Sequence, residues 1–170
     1  VISEFMASNT AALSTIVDGQ VVYPDWLEIY NPTNVIVNLD GWYLTDDPAN
    51  LTRWQFPPTL IAPGEYLLVF ASSQSVYPYM DDLGYWHTNF SLKASGEYLA
   101  LVQPDGTTVE HSYQPIIQFD DVSYGLCYDM VSEGYYPLPT PKLPNGANGD
   151  CIPNLNRVVI NEIMYHPSSE

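Results

Sequence analysis

Hydrophobic residues recur along this chain in short runs with a period of two, and Pro, Gly, Asn and Asp separate the runs. Successive side chains of an extended strand point to opposite faces, so the pattern predicts strands, and no stretch carries the spacing of an amphipathic helix. Strands are expected at 1–6, 26–30, 35–39, 42–45, 53–56, 66–70, 98–102, 107–113 and 122–128. In DWLEIYN, Leu27 and Ile29 share a face opposite Trp26, Glu28 and Tyr30; Trp42 pairs in the same way with Leu44, Trp54 with Phe56, and Leu99 with Leu101. These four apolar pairs are the expected core. Asp105-Gly106 in QPDGTT lies between alternating runs and predicts a hairpin, and Pro63-Gly64 in APGEY predicts a turn before the strand at Tyr66. Short strands punctuated this way, in a chain with 15 prolines, predict an all-β protein built as an antiparallel β-sandwich.

After Cys127 the alternation stops. The stretch SEGYYPLPTPKLPNGANGDCIPNLNR reads as a strap that completes one domain and then becomes a linker. Beyond it, VINEIM at Val159 repeats the VISEFM that opens the chain, with Val, Ile, Glu and Met in matching places. The expected organisation is one domain over 1–146, a Pro/Gly/Asn-rich linker over 147–157, and the first strand of a second copy over 158–170. The start at Val1, without an initiator Met, suggests a piece of a longer chain. A first strand separated from its own domain is expected to pair with an exposed sheet edge, or to exchange through residues 158–166 with Val1–Met6 of another copy and so form a homodimer.

Composition narrows the partners. A chain of 170 residues, 46% hydrophobic and 14% charged, suffices for one buried core, and no apolar run approaches the ~20 residues of a membrane span, so membrane insertion is not expected. Twenty acidic residues face four basic ones, a formal charge of −16. Nucleic acids and anionic membranes are bound largely through Lys and Arg, and neither is an expected partner. Cys127 and Cys151 have no zinc-site spacing; a disulfide between them would stabilise by about 3.5 kcal/mol in the chain-entropy account and would suit an extracellular or cell-surface setting, the alternative being two free thiols.

Several stretches, in order, carry a family resemblance: DWLEIYNPTNVIVNLDGWYLTDD, IAPGEYLLVF, FSLKASGEYLALVQPDGTTVE, then SYG and PTP...PN. Together with the opening VISEFM they resemble the lamin tail domain, in the form found in bacterial secreted and surface proteins, from Val1 to about Asn145. The resemblance implies an immunoglobulin-like sandwich without known catalytic residues, occurring in tandem or beside other domains of exported proteins. The nuclear members dock proteins and chromatin, a role that the acidity of this chain opposes.

Candidate chemistry is sparse. His111 alternates with Val109 and Tyr113 on an expected strand, His87 stands in the loop sequence GYWHTNFSL, and His166 falls in the second copy; no G-x-S-x-G or H-E-x-x-H accompanies any of them. Paired carboxylates at Asp46-Asp47, Asp81-Asp82 and Asp120-Asp121 point opposite ways on an extended chain, which does not suit a glycosidase. Calcium at the Asp46-Asp47 turn is one reading and solvated turn residues are the other. Glu4 and Glu28 lie among apolar residues, and Glu162 repeats Glu4. If their strands pair, the carboxylates come together near Asn31; the preferred reading is that they are outward-facing charges guarding an edge. Fourteen tyrosines remain. Tyr77, Tyr79, Tyr85 and Trp86, with Tyr135 and Tyr136, form either a binding patch or pins that hold long loops to the sandwich. The expected function is a non-catalytic extracellular module, without a cofactor, that docks, adheres to or spaces proteins or neighbouring domains of its own chain. The alternatives are a carbohydrate-binding accessory domain that uses the Tyr/Trp loops, a calcium-binding surface domain, and a hydrolase served by His87.

Overall fold

The computed structural model describes residues 1–147 and 151–153. The second copy over 158–170, with Glu162 and His166, and the exchange through 158–166 lie outside the described residues. In chain order the strands are β1 (Ile2–Met6), β2 (Thr15–Val17), β3 (Gln20–Val22), β4 (Asp25–Tyr30), β5 (Val37–Asn38), β6 (Tyr43–Thr45), β7 (Trp54–Gln55) and β8 (Leu60–Ile61). There follow β9 (Tyr66–Ala71), β10 (Tyr79–Met80), β11 (Trp86–Thr88), β12 (Leu99–Val102), β13 (Val109–Tyr113), β14 (Ser123–Leu126) and β15 (Glu133–Tyr136). They build an immunoglobulin-like sandwich of a seven-stranded sheet, β10-β11-β9-β4-β1-β14-β15, and a four-stranded sheet, β13-β12-β6-β7, with β2-β3 and β5-β8 as small ladders.

The alternation sets the packing. On β4, Leu27 and Ile29 face the four-stranded sheet and meet Leu44, Trp54, Phe56, Leu99 and Leu101 in the main core, against which half-buried Trp42 packs. Trp26, on the opposite face of β4, joins Met6, Leu68 and Phe70 in a second apolar cluster, so the outer face of the large sheet is also covered. A register shift between Ile2 and Glu4 places both Ile2 and Phe5 in the main core despite their odd spacing. The turn at Asp105-Gly106 forms as its chemistry requires: Gly106 has φ +70°, Asp105 accepts from Thr107 and Thr108 N–H, and β12 and β13 run antiparallel from it.

The structure differs from the expectation in four respects. Most strands are shorter, because turns and side-chain caps take their end residues. The β2-β3 hairpin, β8, β10 and β11 stand where no strand was expected, although in the hairpin Asp18 and Gly19, with φ of 50° and 72°, carry the same turn signal as Asp105-Gly106. β11 pairs in parallel with β9, so the sandwich is not wholly antiparallel. The head of the expected strap, Glu133–Tyr136, is a strand paired with β14.

Candidate functional site

The outer face of the large sheet holds the least expected arrangement. Pairing of β1 with β4 sets Glu4 opposite Glu28, and both are fully buried, not outward-facing edge guards. The strap turns back over them. Glu4 accepts from Ser123 Oγ, from Thr140 N–H at 3.0 Å and from Thr140 Oγ1 at 2.7 Å. Glu28 accepts from Ser3 Oγ at 2.9 Å and from the Lys142 backbone N–H. Asn145 Nδ2 closes the strap with bonds to the Ser3 and Leu126 carbonyls at 2.8 and 2.6 Å. Asn31 is engaged elsewhere, donating to the Val35 and Ile61 carbonyls. Burial pushes both carboxyls up, Glu28 to about 8 with Glu4 beside it adding to the rise. Hydroxyls of Ser3, Ser123 and Thr140 and the backbone amides of Thr140 and Lys142 meet the two carboxyls on this shared face.

The disulfide fastens the far end of the strap. Cys127 and Cys151 are bonded, and Ile152 exchanges backbone hydrogen bonds with Tyr135, so the chain lies over β15 at Gly134. A Cβ on Gly134 would collide with Cys151 Sγ and with the Ile152 carbonyl, so only glycine fits beneath the bridge.

The aromatic residues divide. Tyr135 and Tyr136 are buried and donate to the Ile117 and Leu126 carbonyls at 2.7 and 2.8 Å, so they belong to the interior and not to a binding patch. Tyr85 packs edge-on against Phe70 under the Lys142 ammonium, which lies 4.4 Å from its ring centre. Trp86 packs on the core and donates Nε1–H to Thr59. Tyr79 packs edge-on against His87. Tyr77 is 54% exposed. It lines a groove of about 230 Å³ with Tyr43, Thr52, Arg53, Trp54, Gln55 and Asn89.

His87 is on β11, not in a loop, and is fully buried. Its Nδ1 lies 2.7 Å from Ser72 Oγ and its Nε2 3.0 Å from Asp81 Oδ2. Burial alone would raise the Asp81 carboxyl, but bonds from His87, Thr15 and the Tyr85 and Leu83 amides hold it below its ordinary value. An ionised Asp81 accepts from Nε2–H and leaves Nδ1 to accept from the serine. The order Ser–His–Asp is that of an acyl-transfer relay, and half-buried Ser72 lines a cleft of about 540 Å³ with Tyr23, Asp25, Gln74 and Ser91. The backbone N–H groups of Ser73 and Gln74, which follow the serine, are bound to the Phe90 and Thr88 carbonyls and do not form an oxyanion hole. The Ser72–His87–Asp81 chain also ties the residues just after β9 and β10 to β11 and to Thr15 of β2. His111 is half-buried beside Tyr113, and burial pushes its imidazole down to about 4.

Asp46 pairs with Arg53 at 2.6 Å, and Asp47 accepts from Ala49 N–H within its own turn. Among the described residues no group of three or more His, Cys, Asp or Glu stands close enough to hold a metal ion.

A model of the lamin tail domain matches residues 1–115. The chain belongs to the lamin tail domain family. The match covers β1 to β13 and most of the main core, whereas β14 and β15, with their core residues Tyr124 and Tyr135, the strap and the disulfide lie beyond it. No curated protein and no solved structure matches the chain. In this lamin tail domain the two buried glutamates come from strands within the matched region, and their strap donors, Thr140 and Lys142, from outside it.

Proposed function

We propose that this lamin tail domain is a non-catalytic module of an exported multidomain protein, holding neighbouring domains or protein partners at a fixed spacing. One observation carries the reading: the chain after β15 folds back and is fixed at both ends, by Glu4 and Glu28 on one side and by the Cys127–Cys151 bond on the other. A segment anchored in this way is held against the sandwich at two places, which supports a fixed spacing. The disulfide supports an oxidising compartment, hence an extracellular or cell-surface location.

The reading is tested on protein taken from the cell surface. Alkylation and mass spectrometry should find Cys127 and Cys151 bonded, and a serine-directed fluorophosphonate should leave Ser72 unlabelled. Labelling of Ser72, or ester or glycoside turnover lost in His87→Ala, would replace the spacer with an enzyme. Free thiols in that material would remove the disulfide anchor on which the spacer reading rests.

A further inference from the structure

We propose that the groove at Tyr43, Gln55, Tyr77, Asn89 and Arg53 binds a neutral oligosaccharide. The spacer reading requires no ligand, so this inference goes beyond it and stands or falls separately.

The groove follows from strand alternation. Tyr43 and Gln55 are register partners across β6 and β7, and Leu44 and Trp54, the next pair, turn inward to the main core. Tyr43 and Gln55 are therefore neighbours on the outward face of the four-stranded sheet. The segment between β9 and β10 brings Tyr77 to the same place. Burial raises the Tyr77 phenol, with Asp40 and Tyr43 near enough to add to the rise. Asn89, just after β11, donates Nδ2–H to the Arg53 carbonyl at 3.0 Å, which fixes its amide at the rim.

The lining tyrosines differ from the buried tyrosines of the sandwich. Tyr113, Tyr124, Tyr135 and Tyr136 all spend their hydroxyls on protein partners. Among the described residues, the Tyr43 and Tyr77 hydroxyls and the Gln55 amide make no hydrogen bond, and Gln55 and Tyr77 are exposed. Aromatic faces accept the C–H face of a pyranose ring, and amides supply the paired donor and acceptor that adjacent sugar hydroxyls need. The charge decides between neutral and charged ligands. Arg53, the one cation lining the groove, is held by Asp46 at 2.6 Å, and the chain as a whole carries −16, so an anionic glycan is repelled.

The experiment is isothermal titration calorimetry of the intact chain with cellohexaose, xylohexaose, mannohexaose and chitohexaose, and with a polygalacturonate oligomer as the anionic comparison. Saturable binding to at least one neutral oligomer, stronger than to the anionic one, is expected. Tyr77→Ala should weaken it roughly 10-fold or more, Gln55→Ala should also weaken it, and Tyr77→Phe should hold within about 3-fold because the ring is kept. Tyr128→Ala, at another exposed tyrosine, should leave it unchanged. Thermal melts of each variant show that the fold is retained. Failure to bind any neutral oligomer, binding indifferent to Tyr77→Ala and Gln55→Ala, or preference for the anionic oligomer would overturn the proposal and leave the spacer reading intact.

Discussion

Glu4 and Glu28 are direct partners across β1 and β4, both fully buried, and no ion pair among the described residues reaches either carboxylate. The strap supplies Thr140 and Lys142 donors above them, and Ser3 and Ser123 supply hydroxyls from the sheet. Two acids on one buried face are compatible with folding only if at least one of them stays protonated.

The stability of this domain should therefore fall as pH rises from 6.5 to 8. The folded state keeps a proton on Glu28 up to about pH 8, whereas the unfolded chain releases it near pH 4.5. Stability from this group is fully present below the lower value and is lost toward the upper one, by up to roughly 1.4 kcal/mol per pH unit. Glu4, raised by burial, acts in the same sense. Asp25, raised by burial to about 6, has completed most of its part below this window, whereas His111, pushed down to about 4 from 6.5, and the Val1 ammonium, lowered by burial from 8.0, act oppositely and offset part of the fall inside it. Melting temperatures measured across pH 6.5–8 should decline for the natural sequence and flatten in Glu28→Gln. A profile that falls no more steeply in the natural sequence than in Glu28→Gln would remove the buried neutral acid.

Replacing Cys127 and Cys151 together by serine should lower stability by about 3.5 kcal/mol, the loop-closure entropy of a bridge between residues 24 apart. Urea denaturation with and without reductant measures it: reductant should shift the midpoint of the natural sequence and leave that of the double variant unchanged.

Gly134→Ala should be destabilising by roughly 1–3 kcal/mol, since its Cβ collides with Cys151 Sγ and lies 2.8 Å from the Ile152 carbonyl. Combining it with Cys151→Ser should recover part of the loss by removing the sulfur from above the new methyl. Strict additivity in this double-mutant cycle would show that the bridge is not what excludes the methyl.

His87→Ala should cost roughly 2–4 kcal/mol, because it opens a cavity between Phe70 and Tyr79 and leaves Asp81 and Ser72 without their shared partner. Ser72→Ala should cost only about 1 kcal/mol, as one hydrogen bond is lost at a half-buried site. Equal costs in urea denaturation would contradict the view of His87 as the structural centre of the relay.

Much of the sandwich is determined by the sequence alone. Alternation in DWLEIYN and EYLALV places Leu27, Ile29, Leu99 and Leu101 on strand faces whatever the topology, because a period of two is a property of the extended backbone. Asp105-Gly106 forces its hairpin through local dihedral preference, and Asp18-Gly19 does the same in a place where the short flanking runs TIV and QVV hid it. What period cannot state is whether a face is covered. Glu4 and Glu28 have the spacing of outward residues and are outward, yet they are buried because residues more than a hundred positions later fold over them. The same holds for Tyr135 and Tyr136, whose burial depends on β14 and the segment over β15. Ser72, Asp81 and His87 meet only because β11 returns parallel to β9, a pairing that no local signal encodes. Local sequence sets backbone geometry and side-chain direction, whereas burial, and with it protonation and partner choice, is fixed by which distant segment comes to lie on each face.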